Sequence, residues 1–296
     1  MLYNIVAVLK NNMNRMIENM NDPIKNIFLE TLAADYTETP PGYSTGWRQL
    51  PCMVLSYLHI PGSPAAHSPA AVLKRRGKND LVIPAGALMI ISPREEHCVE
   101  TIGNRIFSAW IHWVIRCGPG VDVTGFWEFP AVCTDSRIVG KTAELLNDVI
   151  RNVNSGDPAQ NCIANLAGAA IMLELLKNAS PKKHRQFSGI QRLVPAIGAI
   201  RNAPALRRSS GELAEMCFLS ESRFRAVFHE IMGQTPRDFA ENERIQLAVR
   251  YLREEKTLEE IAVLLGYCDA AHFSRSFRKL TGIAPGTYRK IYSGRK

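Results

Sequence analysis

Along the last third of the chain, apolar residues recur at helical spacing in two matching sets. Phe224, Phe228 and Ile231 share one face of a predicted helix, and Phe273 and Phe277 repeat the same i, i+4 step. Between them, Phe239, Ile245, Leu247, Ala248, Tyr251 and Leu252 mark a longer helix that opens on Thr235-Pro236, where a missing N–H costs nothing. The first 130 residues pattern differently. Short apolar or alternating runs at 52–60, 71–74, 80–83, 87–92, 97–101 and 106–116 are separated by Gly/Pro-rich turns, which predicts an antiparallel sandwich or barrel. Two further helices are predicted at 136–154 and 157–178, the second started by Asp157-Pro158. The fold class expected is α+β, with a β domain first and an all-α domain last.

The two C-terminal sets are copies of one pattern. Ala214 falls on Ala262 at a register of 48, and after one extra residue Phe224, Phe228, Gly233, Pro236 and Phe239 fall on Phe273, Phe277, Gly282, Pro285 and Tyr288. Each copy reads as a short helix, a tight break and a second helix: a helix-turn-helix. Ser209 with Glu212 and Thr257 with Glu260 form S/T-x-x-E capping boxes, Ser220 and Asp269 suit the second helices as N-caps, and Gly233 and Gly282 end them. The outward faces carry Ser222, Arg223, Arg225, Ala226 and His229 in the first copy, and Ala270, Ala271, His272, Ser274, Arg275 and Arg278 in the second. Arginine among small residues can enter a major groove and reach guanine O6 and N7.

Charge sharpens this picture. From residue 181 onward there are 21 Lys+Arg against 12 Asp+Glu, an excess of nine, while residues 1–180 hold 15 against 16. The basic excess therefore sits wholly on the segment with the two helix pairs, as a phosphate-binding module requires. The intervening helix, at roughly 20 residues, is about 30 Å long, close to one turn of B-DNA at about 34 Å.

Residues 189–292 resemble the DNA-binding domain of the AraC/XylS family of bacterial transcription regulators. Beyond the aromatic pairs, the resemblance rests on Arg244-Ile245, Ala248, Leu252, Ile261-Ala262, Gly266-Tyr267, Phe273, Phe277, Gly282 and Pro285. It implies a seven-helix module in which Ser222, Arg225 and Ala226, then Ala270, Ala271, Ser274 and Arg275, read bases. It implies double-stranded DNA as partner, a small-molecule effector such as a sugar, and RNA polymerase for an activator. Upstream, Pro84, Gly86, Pro93 and His97 resemble the P-x-G turn, strand, Pro and His of the cupin-like sensor domain of many such regulators. The organisation expected is a cupin-like barrel over 1–130, a helical segment over 131–180 that in this family often carries a dimer contact, a polar linker over 181–188 with Lys182, Lys183 and Arg185, and the DNA-binding domain over 189–296.

A cupin can also be an enzyme, such as a sugar isomerase or dioxygenase. Metal cupins place a His three residues after the Gly of P-x-G and two more at H-x-H; here Met89 holds the first position and His59 has no partner two residues away. No metal ligand set or cofactor motif is present, so catalysis is not expected. Arg48, Tyr57, His97, Trp110 and His112 are the candidates for an effector pocket, aromatic faces beside a few hydrogen-bonding groups. Each has a plainer reading as core, and Trp110 and Trp113 must lie on opposite faces of their strand. Seven scattered cysteines without C-x-x-C read as reduced thiols of a cytoplasmic protein, the N-terminus lacks a basic signal-peptide region, and the longest uncharged stretch, 158–173, is shorter than a membrane span.

Overall fold

A computed structural model describes residues 27–60, 68–117, 121–153, 155, 157–182, 190–254 and 256–292. The N-terminal half consists of antiparallel strands. Its larger sheet has the order β1-β7-β2-β5-β10, formed by β1 (Ile27–Thr39), β7 (Ile106–Cys117), β2 (Met53–His59), β5 (Leu88–Ile91) and β10 (Val132–Cys133), with β8 (Val121–Asp122) on the end of β7. A three-stranded sheet, β4-β3-β6, faces it through β4 (Leu81–Pro84), β3 (Pro69–Arg75) and β6 (His97–Thr101). Strands β9 (Trp127–Glu128) and β11 (Ser180–Pro181) form a small pair.

The six strand runs read from the sequence all appear, within one or two residues. The longest strand of the sheet, β1, was not among them. Its segment IFLETLAADYTET is rich in Leu, Ala and Glu, which favour helix. A register shift between Thr31 and Ala33 also breaks its period-two alternation. Pairing with β7 along twelve residues overrides that local preference. The expected barrel is open: among the described residues no ladder joins the two sheets, and the isolated bridges Ser44 to Glu100 and Arg48 to His97 tie only the β1–β2 connection to β6.

Strand β7 is the spine of this half. Being buried on both faces, it reads as an almost unbroken apolar run. One face, with Ile111, Trp113 and Ile115, meets two antiparallel helices, α1 (Ser136–Val153) and α2 (Pro158–Leu176). The other, with Trp110 and Val114, meets the small sheet. Helix α2 has 19 residues and, by length and composition alone, is apolar enough to cross a membrane, which the shorter uncharged stretch in the sequence did not suggest. In the fold it lies against the sheet so closely that a Cβ on Gly168 would meet Leu29 Cδ2 at 3.1 Å. Its outer side carries exposed Ile163 and Leu166.

The C-terminal half is helical: α3 (Ile190–Asn202), α4 (Ser210–Met216), α5 (Glu221–Met232), α6 (Pro236–Arg253), α7 (Leu258–Leu264), α8 (Ala270–Thr281) and α9 (Pro285–Tyr292). These are the seven helices implied by the family resemblance. The expected linker begins inside β11, where Pro181 pairs with Trp127, and its residues 183–188 lie outside the described ones. So does the N-terminal segment read for a signal peptide.

Helix α6 also docks on the β domain. Arg116 on β7 donates to both carboxylate oxygens of Glu243, at 2.9 and 2.8 Å, and to Gln246. Gln246 donates to the Pro51 carbonyl at 2.9 Å, and Arg253 to that of Leu32 at 2.8 Å. Asn242, Glu243, Arg244 and Gln246 are therefore buried on this helix beside its apolar positions.

Candidate nucleic-acid interface and effector pocket

Both helix pairs start and stop as their sequences direct. Ser209 Oγ accepts from the Glu212 amide at 3.1 Å while the Ser209 amide donates to Glu212 Oε2 at 2.6 Å; Thr257 and Glu260 repeat this at 3.2 and 2.7 Å. Ser220 caps α5 and Asp269 caps α8. Gly233 at φ 65° and Gly282 at φ 80° close the two helices in the left-handed conformation that glycine adopts without strain. Phe224, Phe228, Phe273 and Phe277 are fully buried. That burial fixes the roll of each helix and turns the opposite face outward.

On α5, Ser222, Arg223, Arg225, Ala226 and His229 are all exposed. Arg225 is tied to Glu221 one turn earlier. On α8, Ala271, Arg275 and Arg278 are exposed and Ala270, His272 and Ser274 are partly so. His272 rests its ring edge-on against Tyr267, at 5.3 Å between centroids, so it is half committed to the fold. Arg275 and Arg278 have no ion pair among the described residues. The rod between the heads, α6, has 18 residues, which makes it about 27 Å long. A groove of about 1060 Å³ separates the heads, with His229 on one side, His272 and Lys279 on the other, and Arg237 and Arg244 from α6.

A second cavity, of about 150 Å³, lies between the two sheets. Alternation builds it: Val54, Ser56 and Leu58 of β2 and Ser108, Trp110 and His112 of β7 point inward. Tyr57, one residue out of step, belongs to the opposite face and packs with the core beneath the helices. It does not line the cavity. Arg48, Trp110 and His112 do. His97 sits just behind: its Nδ1 lies 2.7 Å from the Glu95 carbonyl and its Nε2 is 3.3 Å from Arg48 Nε. Burial pushes the His97 pKa down to about 4, so the ring is neutral at pH 7. With the proton on Nδ1, donated to Glu95, Nε2 accepts from Arg48 and positions it. His112 is likewise pushed down by burial, with help from Arg48 and His97, to about 3. Other donors of the Arg48 guanidinium have no protein acceptor among the described residues.

The sequence reading missed Thr37, Thr39, Ser56, Ser108 and Ile283, which also line this cavity. Thr37 accepts from the Trp110 indole at 2.8 Å and fixes that ring. Polar residues on the inner face of a strand were the available signal for Ser56 and Ser108; Thr37 and Thr39 were hidden with β1. Ile283 was not predictable, because it comes from the far end of the chain, in the turn after α8. Beside it, a Cβ on Gly282 would lie 2.4 Å from Arg48 Cβ, so only glycine permits this approach. Among the described residues no three His, Cys, Asp or Glu gather into a metal-ligand group.

Residues 213–291 match the helix-turn-helix domain family. LumQ of Photobacterium leiognathi, described as a probable transcriptional regulator, is 37% identical over 81 residues, covering 27% of this chain and 33% of that protein. A Streptomyces lividans protein described as an AraC-like transcription regulator is 35% identical over 96 residues, 32% of each chain. The C-terminal module is an AraC-type helix-turn-helix domain. The chain spans about a third of the length of these curated relatives. Its overall fold is that of ToxT from Vibrio cholerae, with a TM-score of 0.57 at 9% identity over 90% of this chain and 99% of that one. One ToxT structure is of the unsaturated-fatty-acid-bound protein. In this AraC-type domain, α5 and α8 are the second helices of the two pairs, and both have their outer faces open.

Proposed function

We propose that the protein is a sequence-specific DNA-binding transcription regulator of the AraC type, with α5 and α8 as the helices that enter successive major grooves. The observation that carries this is the pair of capped helices with open faces, set on a rod of about 27 Å, inside the AraC-type module. Ser222, Arg225 and Ala226 read bases from the first head, and Ala271, Ser274 and Arg275 from the second. With Ala270 beside Ala271 on its reading face, α8 relies on Arg275, thymine methyl contacts and DNA shape. Arg225→Ala and Arg275→Ala should each weaken operator binding by about 1–3 kcal/mol and relax preference at one base pair. Gel-shift titration against a selected site and its single-base variants measures both; unchanged affinity and preference in both variants rejects the assignment.

The two-sheet half is read as a cupin-like sensor. Trp110, the hydroxyls of Thr37, Thr39, Ser56 and Ser108, and the open donors of Arg48 suit a small metabolite with a polar end, such as a sugar or a short carboxylate, while Leu58, Met89 and Ile106 suit its apolar part. The likeness in fold to ToxT, which has been seen with a fatty acid, supports a small-molecule role. Because Ile283 closes the cavity and Gly282 touches Arg48, a ligand there bears on the end of α8 and shifts the population between arrangements of the second head. Control is by this shift, as an activator working with RNA polymerase, and no bond is made or broken. Exposed Ile163 and Leu166 on α2 are the candidate homodimer contact. Thermal-shift screening of sugars and carboxylates, repeated on Arg48→Ala, tests the sensor; a ligand whose stabilisation survives that substitution binds elsewhere.

A further inference from the structure

The end of the first reading helix meets the β domain as well, across a different space. A cleft of about 650 Å³ is walled on one side by the β5–β6 turn, Ser92 to Glu96, and on the other by Ile231 to Gln234 at the end of α5 and by Asn242, Glu243 and Gln246 of α6. It shares no residue with the cavity between the sheets. Seven Lys or Arg line it against five Asp or Glu, an excess of two positive charges.

Its inner part holds half of this excess, Arg94, Arg116 and Arg201 against the carboxylates of Glu243 and Asp122. Arg116 and Arg201 both pair with Glu243, at 2.8 and 3.4 Å, and all three side chains are largely buried. Asp122, the other acid nearby, is occupied in capping the turn at Thr124, accepting from its amide at 2.9 Å and its hydroxyl at 2.6 Å. Arg94 is the third guanidinium. Its side chain has no ion pair and no hydrogen-bond acceptor among the described residues, although burial lowers its pKa and so opposes its charge. Its backbone is at φ 63°, a conformation that non-glycine residues seldom adopt, and is held there by bonds from its amide to Leu50 and from Gln49 to its carbonyl, at 2.7 and 2.6 Å. A half-buried guanidinium held on a strained turn, with Asp122 and Glu243 acting on it only through charge, keeps donors that a ligand's oxygens could satisfy.

We propose that this cleft is a second effector site, which takes a small phosphate-bearing molecule on the guanidinium fork of Arg94, with Arg116 and Arg201 supplying field from behind. A phosphate monoester carries close to the two negative charges that the lining lacks, and its oxygens match the planar donors of arginine. The space is that of a metabolite pocket, bounded on both sides by the same chain. Its occupant would touch Gly233 at the end of α5, as an occupant of the other cavity would touch Ile283 beyond α8. Each reading head would then have its own chemical input. The proposal stands independently of DNA binding.

Calorimetric titration of the full chain with inorganic phosphate, against chloride at matched ionic strength, tests this. The wild type should bind saturably. Arg94→Asn, chosen because Asn tolerates the left-handed backbone, should bind at least about tenfold more weakly. Glu243→Gln, which keeps the shape and removes the competing charge, should bind several-fold more tightly. Arg225→Ala combined with Arg275→Ala should leave phosphate binding unchanged. Absence of saturable binding in the wild type, undiminished affinity in Arg94→Asn, or loss that follows the Arg225 and Arg275 substitutions would each overturn the proposal, the last by assigning the anion to the DNA-facing surface.

Discussion

The two helix-turn-helix copies match at an offset of 48 to 49 residues, yet they join cores on opposite faces of the large sheet. Phe224, Phe228 and Leu213 of the first head join the core that runs beneath α1 and α2 to Trp113; Phe273, Phe277 and Ile261 of the second join the core that runs through α6 to the inner face of the sheets and Trp110. Their terminal glycines differ in the same way. Nothing lies within 4 Å of a Cβ placed on Gly233, whereas one on Gly282 collides with Arg48. A duplicated motif has kept its internal packing and acquired unlike neighbours. The first head faces a charged cleft and the second closes a small, mostly apolar cavity, so the two are bordered by different chemistry.

Substitutions that act inside the motif should affect both heads alike, and those that act at its borders should not. The largest effect is expected from Phe228→Ala and Phe277→Ala, each removing a fully buried ring at about 3–5 kcal/mol. Urea denaturation should give values within about 1 kcal/mol of each other; a wide gap would mean that the shared core is not equivalent.

Acid should come next, and through the sheet cavity on which the second head rests. His97 and His112 have pKa values lowered to about 4 and about 3 by burial, below the unfolded value of 6.5. Their contribution is therefore complete above pH 6.5 and declines as pH falls towards 4, where the unfolded chain binds protons that the folded one refuses. The slope is about 1.4 kcal/mol per pH unit for each ring. His112→Gln should flatten the pH dependence of stability between 6.5 and 4; an unaltered profile would remove His112 from the account.

At the borders, Gly282→Ala meets both a left-handed backbone and the Arg48 side chain, while Gly233→Ala meets the backbone penalty alone, about 1–2 kcal/mol. The second substitution should therefore be the milder, and combining Gly282→Ala with Arg48→Gly should recover part of the difference. Equal costs in thermal melts would show that the heads are bordered alike. The smallest effects belong to the caps: Ser209→Ala and Thr257→Ala should each cost about 1 kcal/mol, again as a matched pair.

Much of this was legible in the chain. The capping boxes, the terminal glycines and the buried phenylalanines are local signals, satisfied within a few residues of themselves, and the helices they define appear where expected. Tyr57 was misplaced and β1 missed for one reason. The face a strand presents, and whether a Leu- and Ala-rich segment becomes a strand at all, depends on its partner, and β1 is made by β7. The barrel inferred from short strands is an open pair of sheets because closure depends on ladder bonds between distant strands, for which short-range alternation carries no code.

By itself, then, the sequence determined the internal design of each helix-turn-helix head, since helix starts, stops and buried faces obey rules that span only four to twelve residues. Only the tertiary structure decided what those heads touch. Contacts such as Gly282 to Arg48, Ile283 into the sheet cavity, and Glu243 between Arg116 and Arg201 join residues more than forty positions apart, and in the sequence nothing links such partners until the chain has folded them together.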